Sequence, residues 1–172
     1  MTSIGILSDS HGRDESTERA VRLLAGEGAD LLIHLGDIGT ASVLDALVLG
    51  RDGDGHPSPP VHIVFGNIDE GLASLRRHAS ALGIFVDHPV GRLTLGGKRI
   101  VFQHGDLASE MAQALEEKAD YLCHGHTHVA RDERIGPTRV INPGALHRAR
   151  EYTVALLDLL EDYLRFIPVR RQ

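Results

Sequence analysis

The sequence predicts one mixed α/β (α+β) domain, in which two sheets pack as a sandwich with helices outside. Three observations carry that expectation. A chain of 172 residues suits one domain and can bury roughly 70% of its unfolded surface. Over the first two thirds, short apolar runs alternate with amphipathic stretches, the βαβ pattern of parallel strands. The second half is richer in hairpins, which a single doubly wound sheet would not accommodate. No repeat, low-complexity block or linker divides the chain, so residues 1–172 are read as one unit.

Each element has its own local reason. Ser3–Leu7 is an apolar run of strand length. Ala20, Val21, Leu23 and Leu24 then share a helical face, with Asp14 placed to cap that helix and Gly28 to end it. Leu31–Leu35 is a second buried run, and Ala41–Leu49 a short helix. A Gly/Pro/Asp loop, Gly50–Pro60, precedes a third strand at Val61–Phe65, and Leu72–Ala81 has helical spacing. Ile84–Val86 is a short strand. Arg92–Leu95 and Arg99–Phe102 flank Gly96–Gly97 as a hairpin. Met111, Ala114 and Leu115 mark a helix over Ala108–Ala119, and Tyr121–Cys123 is a buried strand. Strands around Val140, Tyr152–Leu160 and Leu164–Val169 close the chain.

Composition excludes several function classes. Eighteen basic against 24 acidic residues leave a formal charge of −6, the wrong sign for gripping nucleic acid by counterion release. Three Tyr, four Phe and no Trp argue against a base-stacking platform. No apolar run approaches the roughly 18 residues of a membrane span. The strand pattern begins at Ile4 with no basic and apolar leader ahead of it, and the single Cys123 reads as a small buried hydrophobe. A reducing cytoplasm is the expected location. The unusual count is histidine: eleven, three of them at positions 124, 126 and 128.

The polar residues follow the apolar runs in a consistent way. Asp9-Ser10-His11, Gly36-Asp37, Gly66-Asn67-Ile68-Asp69, His104-Gly105 and Gly125-His126-Thr127-His128 each emerge from the C-terminal end of an expected strand. In α/β architectures the loops at that edge converge on one crevice. Carboxylate, imidazole and carboxamide donors without thiolate suit Mn, Fe, Co, Ni or Zn rather than a structural zinc knot. Asp9, His11, Asp37, Asn67, His104, His126 and His128 are too many donors for one tetrahedral ion. They match two ions that share a carboxylate, the arrangement that generates hydroxide and clamps a phosphoryl group.

In this order, D-x-H, G-D, G-N-x-D, H-G and G-H-x-H resemble the calcineurin-like metallophosphoesterase superfamily. The short length and Asn142-Pro143-Gly144 look most like its small YfcE-like phosphodiesterase branch. The resemblance implies a four-layer αββα sandwich and two divalent metal ions, manganese first, with Fe, Ni, Co or Zn as the others. It implies that Asp9, His11 and His128 bind the first metal, that Asp37 bridges, and that Asn67, His104 and His126 complete the second. Asp37 and Asn67 would also serve catalysis, and the activity implied is phosphodiester hydrolysis by a metal-bridging hydroxide. Arg13, at a helix start beside the first motif, is the candidate for substrate binding. Asn142-Pro143-Gly144 resembles a segment that closes the sheet.

Departures from the wider superfamily narrow the expectation. Protein phosphatases of the group carry a proton-donating histidine after the Asn, where this chain has Ile68. They also continue the second motif into Asp-Arg-Gly, where this chain reads Gly39-Thr40-Ala41. Residue 106 is Asp where close relatives often have His. The expected substrate is a small phosphodiester, and a nuclease is disfavoured by the missing basic face. The competing reading is a non-catalytic scaffold or interaction module, because a small retromer subunit of similar fold serves that way. A complete ligand set favours the enzyme. The remaining histidines, His34, His56, His62, His78, His88, His124 and His147, are read as core, supporting or surface residues. Oligomeric state is left open, a homo-oligomer included.

Overall fold

Alternation along β1 (Ser3–Leu7) decides the layering. Ile4 and Ile6 enter one apolar cluster while Leu7 enters another, because successive strand side chains point to opposite faces. The computed structural model describes residues 3–48 and 59–171. Leu49 and most of the expected 50–60 loop, with His56, lie outside them. After β1 come α1 (Asp14–Gly26), β2 (Leu31–His34), α2 (Ala41–Val48), β3 (Val61–Ile63), α3 (Leu72–Ala81) and β4 (Phe85–Val86). Then follow β5 (Val90–Leu95), β6 (Lys98–Gln103), α4 (Ala108–Glu116), β7 (Tyr121–His124), β8 (Arg131–Ile135), β9 (Thr138–Asn142), β10 (Thr153–Asp158) and β11 (Tyr163–Pro168).

One sheet runs β11-β10-β1-β2-β3-β4 and the other β5-β6-β7-β9-β8. Within them β1 to β4 are mutually parallel, as are β6, β7 and β9. Ile4, Ile6, Ile33, Phe102, Tyr121, Cys123, Ile141 and Leu157 form the layer between the sheets. A second cluster, with Leu24, Leu44 and Leu75, lies between the first sheet and α1 to α3. A third joins Val101, Leu122 and Val140 to α4 through Ala114. The expected αββα layering is the observed one.

Local differences have local causes. Asp14 does not cap α1: it is the first helical residue, Arg13 is the N-cap without a side-chain bond, and Asp14 Oδ1 accepts the Glu15 N–H at 2.9 Å. Gly28 does end that helix, with φ 87°. Helix α4 stops at Glu116 rather than 119, since Ala119 turns into the core ahead of β7. Strand β8 was not expected. Its sequence, RDERI, has one apolar residue and no inward face, and it exists because its backbone pairs antiparallel with β9. At the N-terminal ends of the parallel strands, Asp162 accepts the Tyr121 hydroxyl at 2.9 Å and Arg139 Nη1 at 2.7 Å, tying the β10–β11 turn to the other sheet.

Candidate metal centre

The opposite edge collects the chemistry. Asp9 and His11 follow β1, Asp37 follows β2, Asn67 follows β3, His104 follows β6, and His126 and His128 follow β7. Eight non-glycine residues have positive φ among the described residues, and five belong to this set: Asp9 55°, His11 46°, Asp37 54°, His126 68° and His128 58°. Such residues sit in a region that L side chains rarely occupy, so the fold must hold them there. Backbone bonds do so. Asp9 N–H donates to Gly36 O at 3.0 Å, His11 N–H to Asp37 O at 2.8 Å, and Gly125 N–H to His104 O at 2.8 Å. The buried Asp69 carboxylate accepts the N–H groups of Gly39 (2.7 Å) and Gly66 (2.8 Å), locking the loops after β2 and β3 together.

Two glycines are dictated by proximity. A Cβ on Gly66 would lie 2.1 Å from Asp37 Oδ1, and one on Gly125 would lie 2.0 Å from Ser8 Oγ and 2.8 Å from Asp9 Oδ2. Only glycine lets these backbones approach the carboxylates so closely.

Asp9, His11, Asp37 and His128 each offer a donor atom, all within 4.8 Å of one another. His11 Nε2 is 3.2 Å from Asp37 Oδ2 and 3.3 Å from His128 Nε2, which is 3.2 Å from Asp9 Oδ1. Donors placed tetrahedrally around an ion at about 2.0–2.2 Å stand roughly 3.3–3.6 Å apart, close to this spacing. Asp9 Oδ1 is buried with no hydrogen-bond donor, and two imidazole nitrogens face each other, a donor set whose chemistry suits a cation.

The other oxygen of Asp37 turns to a second group. Oδ1 is 3.2 Å from His104 Nε2, which is 3.1 Å from Asn67 Oδ1, and the His126 ring lies 5.1 Å from that of His104. His104 donates Nδ1–H to Leu35 O at 2.8 Å, so in the neutral ring the Nε2 lone pair faces two oxygens. That contact too suits a shared cation. The seven expected donors are thus brought together, with Asp37 between the two groups.

Burial sets the electrostatics. It raises the Asp9 carboxyl above its ordinary value, against the Ser8 hydroxyl and the nearby His104 and His128. It lowers His11 despite Asp37 and Asp9, which keeps that ring neutral and ligand-competent. His34 is the core histidine expected, its pKa pushed to about 3 by burial. Its Nδ1 accepts Gly36 N–H at 3.2 Å, leaving Nε2–H for Ser10 Oγ at 2.8 Å. His124 is buried beside the site and donates Nδ1–H to Gly125 O. Cys123 is inert, its thiol pushed up to about 12 by burial.

Sequence reasoning missed three residues. His147, read as surface or structural, sets its ring tilted 4.7 Å from that of His11 and accepts Arg13 Nε at 3.4 Å. Nothing around it in the chain marks it. Asn142, assigned no chemistry, donates to Gly125 O (2.8 Å) and Thr127 Oγ1 (3.1 Å), so it shapes the His126–His128 loop. In the sequence Asp69 stands only as the end of a motif. Ile68 contributes its backbone: its N–H donates to Asp37 Oδ1 at 3.2 Å. Arg13 is exposed at the margin of the cluster.

Comparison with known proteins agrees with this geometry. A model of the calcineurin-like phosphoesterase superfamily domain matches residues 2–162. The chain is 30% identical to the probable metallophosphoesterase YsnB of Bacillus subtilis, covering 89% of this chain and 83% of that protein. It is 29% identical to the phosphodiesterase YfcE of Escherichia coli K12, over 100% and 95%. A solved archaeal phosphodiesterase superposes with a TM-score of 0.85 at 22% identity, over 97% of this chain and 99% of that one.

Proposed function

This chain belongs to the calcineurin-like phosphoesterase superfamily, and from that membership we propose that it hydrolyses small phosphodiesters at a two-metal centre, acting as one domain. The observation that carries the reading is Asp37, whose two carboxylate oxygens each stand 3.2 Å from an imidazole of a different donor group. Asp9, His11, His128 and Asp37 Oδ2 would hold one divalent ion; Asp37 Oδ1, Asn67, His104 and His126 would hold the other. When bound, such a pair supplies a hydroxide nucleophile at neutral pH and neutralises charge on the phosphoryl oxygens. Mn²⁺ is the ion we favour, with Fe, Ni, Co and Zn compatible with the same donors.

The chain's own residues do the rest. The Asn67 amide can donate to a phosphoryl oxygen beside the cluster, and Arg13 with His147 offers N–H donors on the His11 side. Ile68 has no proton to give a departing alkoxide, so good leaving groups are favoured. Two divalent ions add about +4 locally, which offsets the chain's net acidity toward an anionic substrate. A cytoplasmic small-molecule role fits this reading better than a polymeric nucleic acid.

The test is hydrolysis of bis(4-nitrophenyl) phosphate by chelator-stripped protein, with and without Mn²⁺, beside Asp37→Asn. Mn²⁺-dependent turnover that the variant loses is the expected result. Folded protein inert with every divalent ion would instead favour the scaffold reading.

A further inference from the structure

Resting on that reading, we propose that the arginine-lined hollow beside the metal cluster is a subsite for a second anionic group. The preferred substrate is then a phosphodiester whose retained arm ends in a phosphate. The hollow measures about 350 Å³ and begins at Gly12 and Arg13, the two residues that follow His11. Its far wall is Ser16, Arg19, Tyr152 and Arg171. Arg13 Nε also reaches His147, whose ring lies tilted 4.7 Å from that of His11, so side-chain contacts link the hollow to the cluster.

The charge is concentrated against the average of the molecule. A chain of net charge −6 places three guanidinium groups in this hollow, and an adjoining one that shares Tyr152 and Arg171 adds Arg150 and Arg170. Arg171 is held in place: it lies 4.5 Å over the Tyr152 ring and donates to Ala149 O. Arg19 Nη2 is oriented by Ser16 Oγ at 3.2 Å. The N-cap of α1 has no side-chain bond, so the positive end of a 13-residue helix adds to the field. Two acids line the same hollow. Asp14 Oδ1 is occupied by the Glu15 N–H, and Glu15 stands 4.0 Å from Arg19. Against them stand three arginines in this hollow, or five against Asp14, Glu15 and Glu151 over the two hollows together. Planar guanidinium groups are the side chains best matched to phosphate oxygens.

The experiment compares two 4-nitrophenyl diesters with the same leaving group, one with an ethyl arm and one with a 2-phosphonooxyethyl arm, on Mn²⁺-loaded protein. The wild type is expected to favour the charged arm by tenfold or more in kcat/KM. Arg19→Gln with Arg171→Gln is expected to bring that ratio toward one, and Glu15→Gln to raise it. Equal kcat/KM on both diesters in the wild type overturns the subsite and leaves the phosphodiesterase reading standing. Turnover of neither diester overturns that reading, and the subsite is then decided by calorimetric titration of chelator-stripped protein with inorganic pyrophosphate. Several-fold weaker binding by the double arginine variant supports it; equal affinity overturns it.

Discussion

Asp9→Asn should make the metal-free protein more stable and the metal-loaded protein relatively less so. The carboxylate of Asp9 is fully buried, Oδ1 has no donor, and Oδ2 accepts the His126 N–H at 3.1 Å. Asparagine keeps the oxygen that His126 needs and puts an N–H donor 3.2 Å from His128 Nε2, where a carboxylate oxygen now sits. It also tolerates the left-handed backbone at φ 55°. Removing an unsatisfied buried acceptor is worth about 1–3 kcal/mol. For a chain of this size each kcal/mol moves Tm by about 2–4 °C, so at about 2 kcal/mol, the middle of that range, stripped Asp9→Asn should melt roughly 4–8 °C above the wild type. Saturating Mn²⁺ reverses the order. At one hundred times Kd a ligand adds about 2.7 kcal/mol to the wild type, whereas an amide nitrogen aimed at the ion cannot bind it. Burial raises the Asp9 pKa above 3.8, so between 3.8 and that raised value the folded state holds more protons than the unfolded. The wild-type deficit therefore opens as pH climbs through that window and closes below it. Differential scanning calorimetry with chelator or Mn²⁺ measures both effects. A stripped variant melting at or below the wild type, or an equal Mn²⁺ shift in both proteins, refutes the reasoning.

Gly66→Ala would set a Cβ 2.6 Å from the Asp37 backbone nitrogen, which cannot swing aside; urea unfolding should show a loss of about 1–3 kcal/mol, and the Mn²⁺-induced Tm shift should vanish. Diesters with 4-nitrophenyl leaving groups should be cleaved far faster than dialkyl ones, because Ile68 supplies no proton; comparable rates would contradict that. Asp162→Ala should cost about 1–2 kcal/mol in urea unfolding by freeing the Tyr121 hydroxyl and Arg139. Burial raises the Asp162 pKa, but the Arg139 and Tyr121 hydrogen bonds outweigh it and leave the group lowered. Its contribution is therefore present above about pH 3.8 and lost as pH falls below, so the wild-type advantage over the variant should shrink on acidification. An advantage that stays constant to pH 2 would place the stabilisation elsewhere.

Most strands and helices were legible in the chain because their causes lie within a few residues of one another. Apolar runs such as Leu31–His34, the α1 face of Ala20, Val21 and Leu24, and the Gly96–Gly97 turn announce themselves locally. The seven expected donors were legible for the same reason, each being an Asp, Asn or His just past a strand. Strand β8 was invisible because nothing in RDERI needs burial, and only pairing with β9 makes it a strand. His147, Asn142 and Asp69 were invisible as site residues because their partners are brought in by strand order: His147 meets His11 across 136 positions of chain, and Asp69 meets Gly39 across 30. The sequence by itself therefore determined which groups stand at the strand ends, since side-chain direction and turn chemistry are local properties. The placing of Asp37 between two donor sets, and of arginines from α1 and the chain's end around one hollow, was decided only by how the sheets are ordered and stacked, for a contact between distant segments exists only once the layers between them are packed.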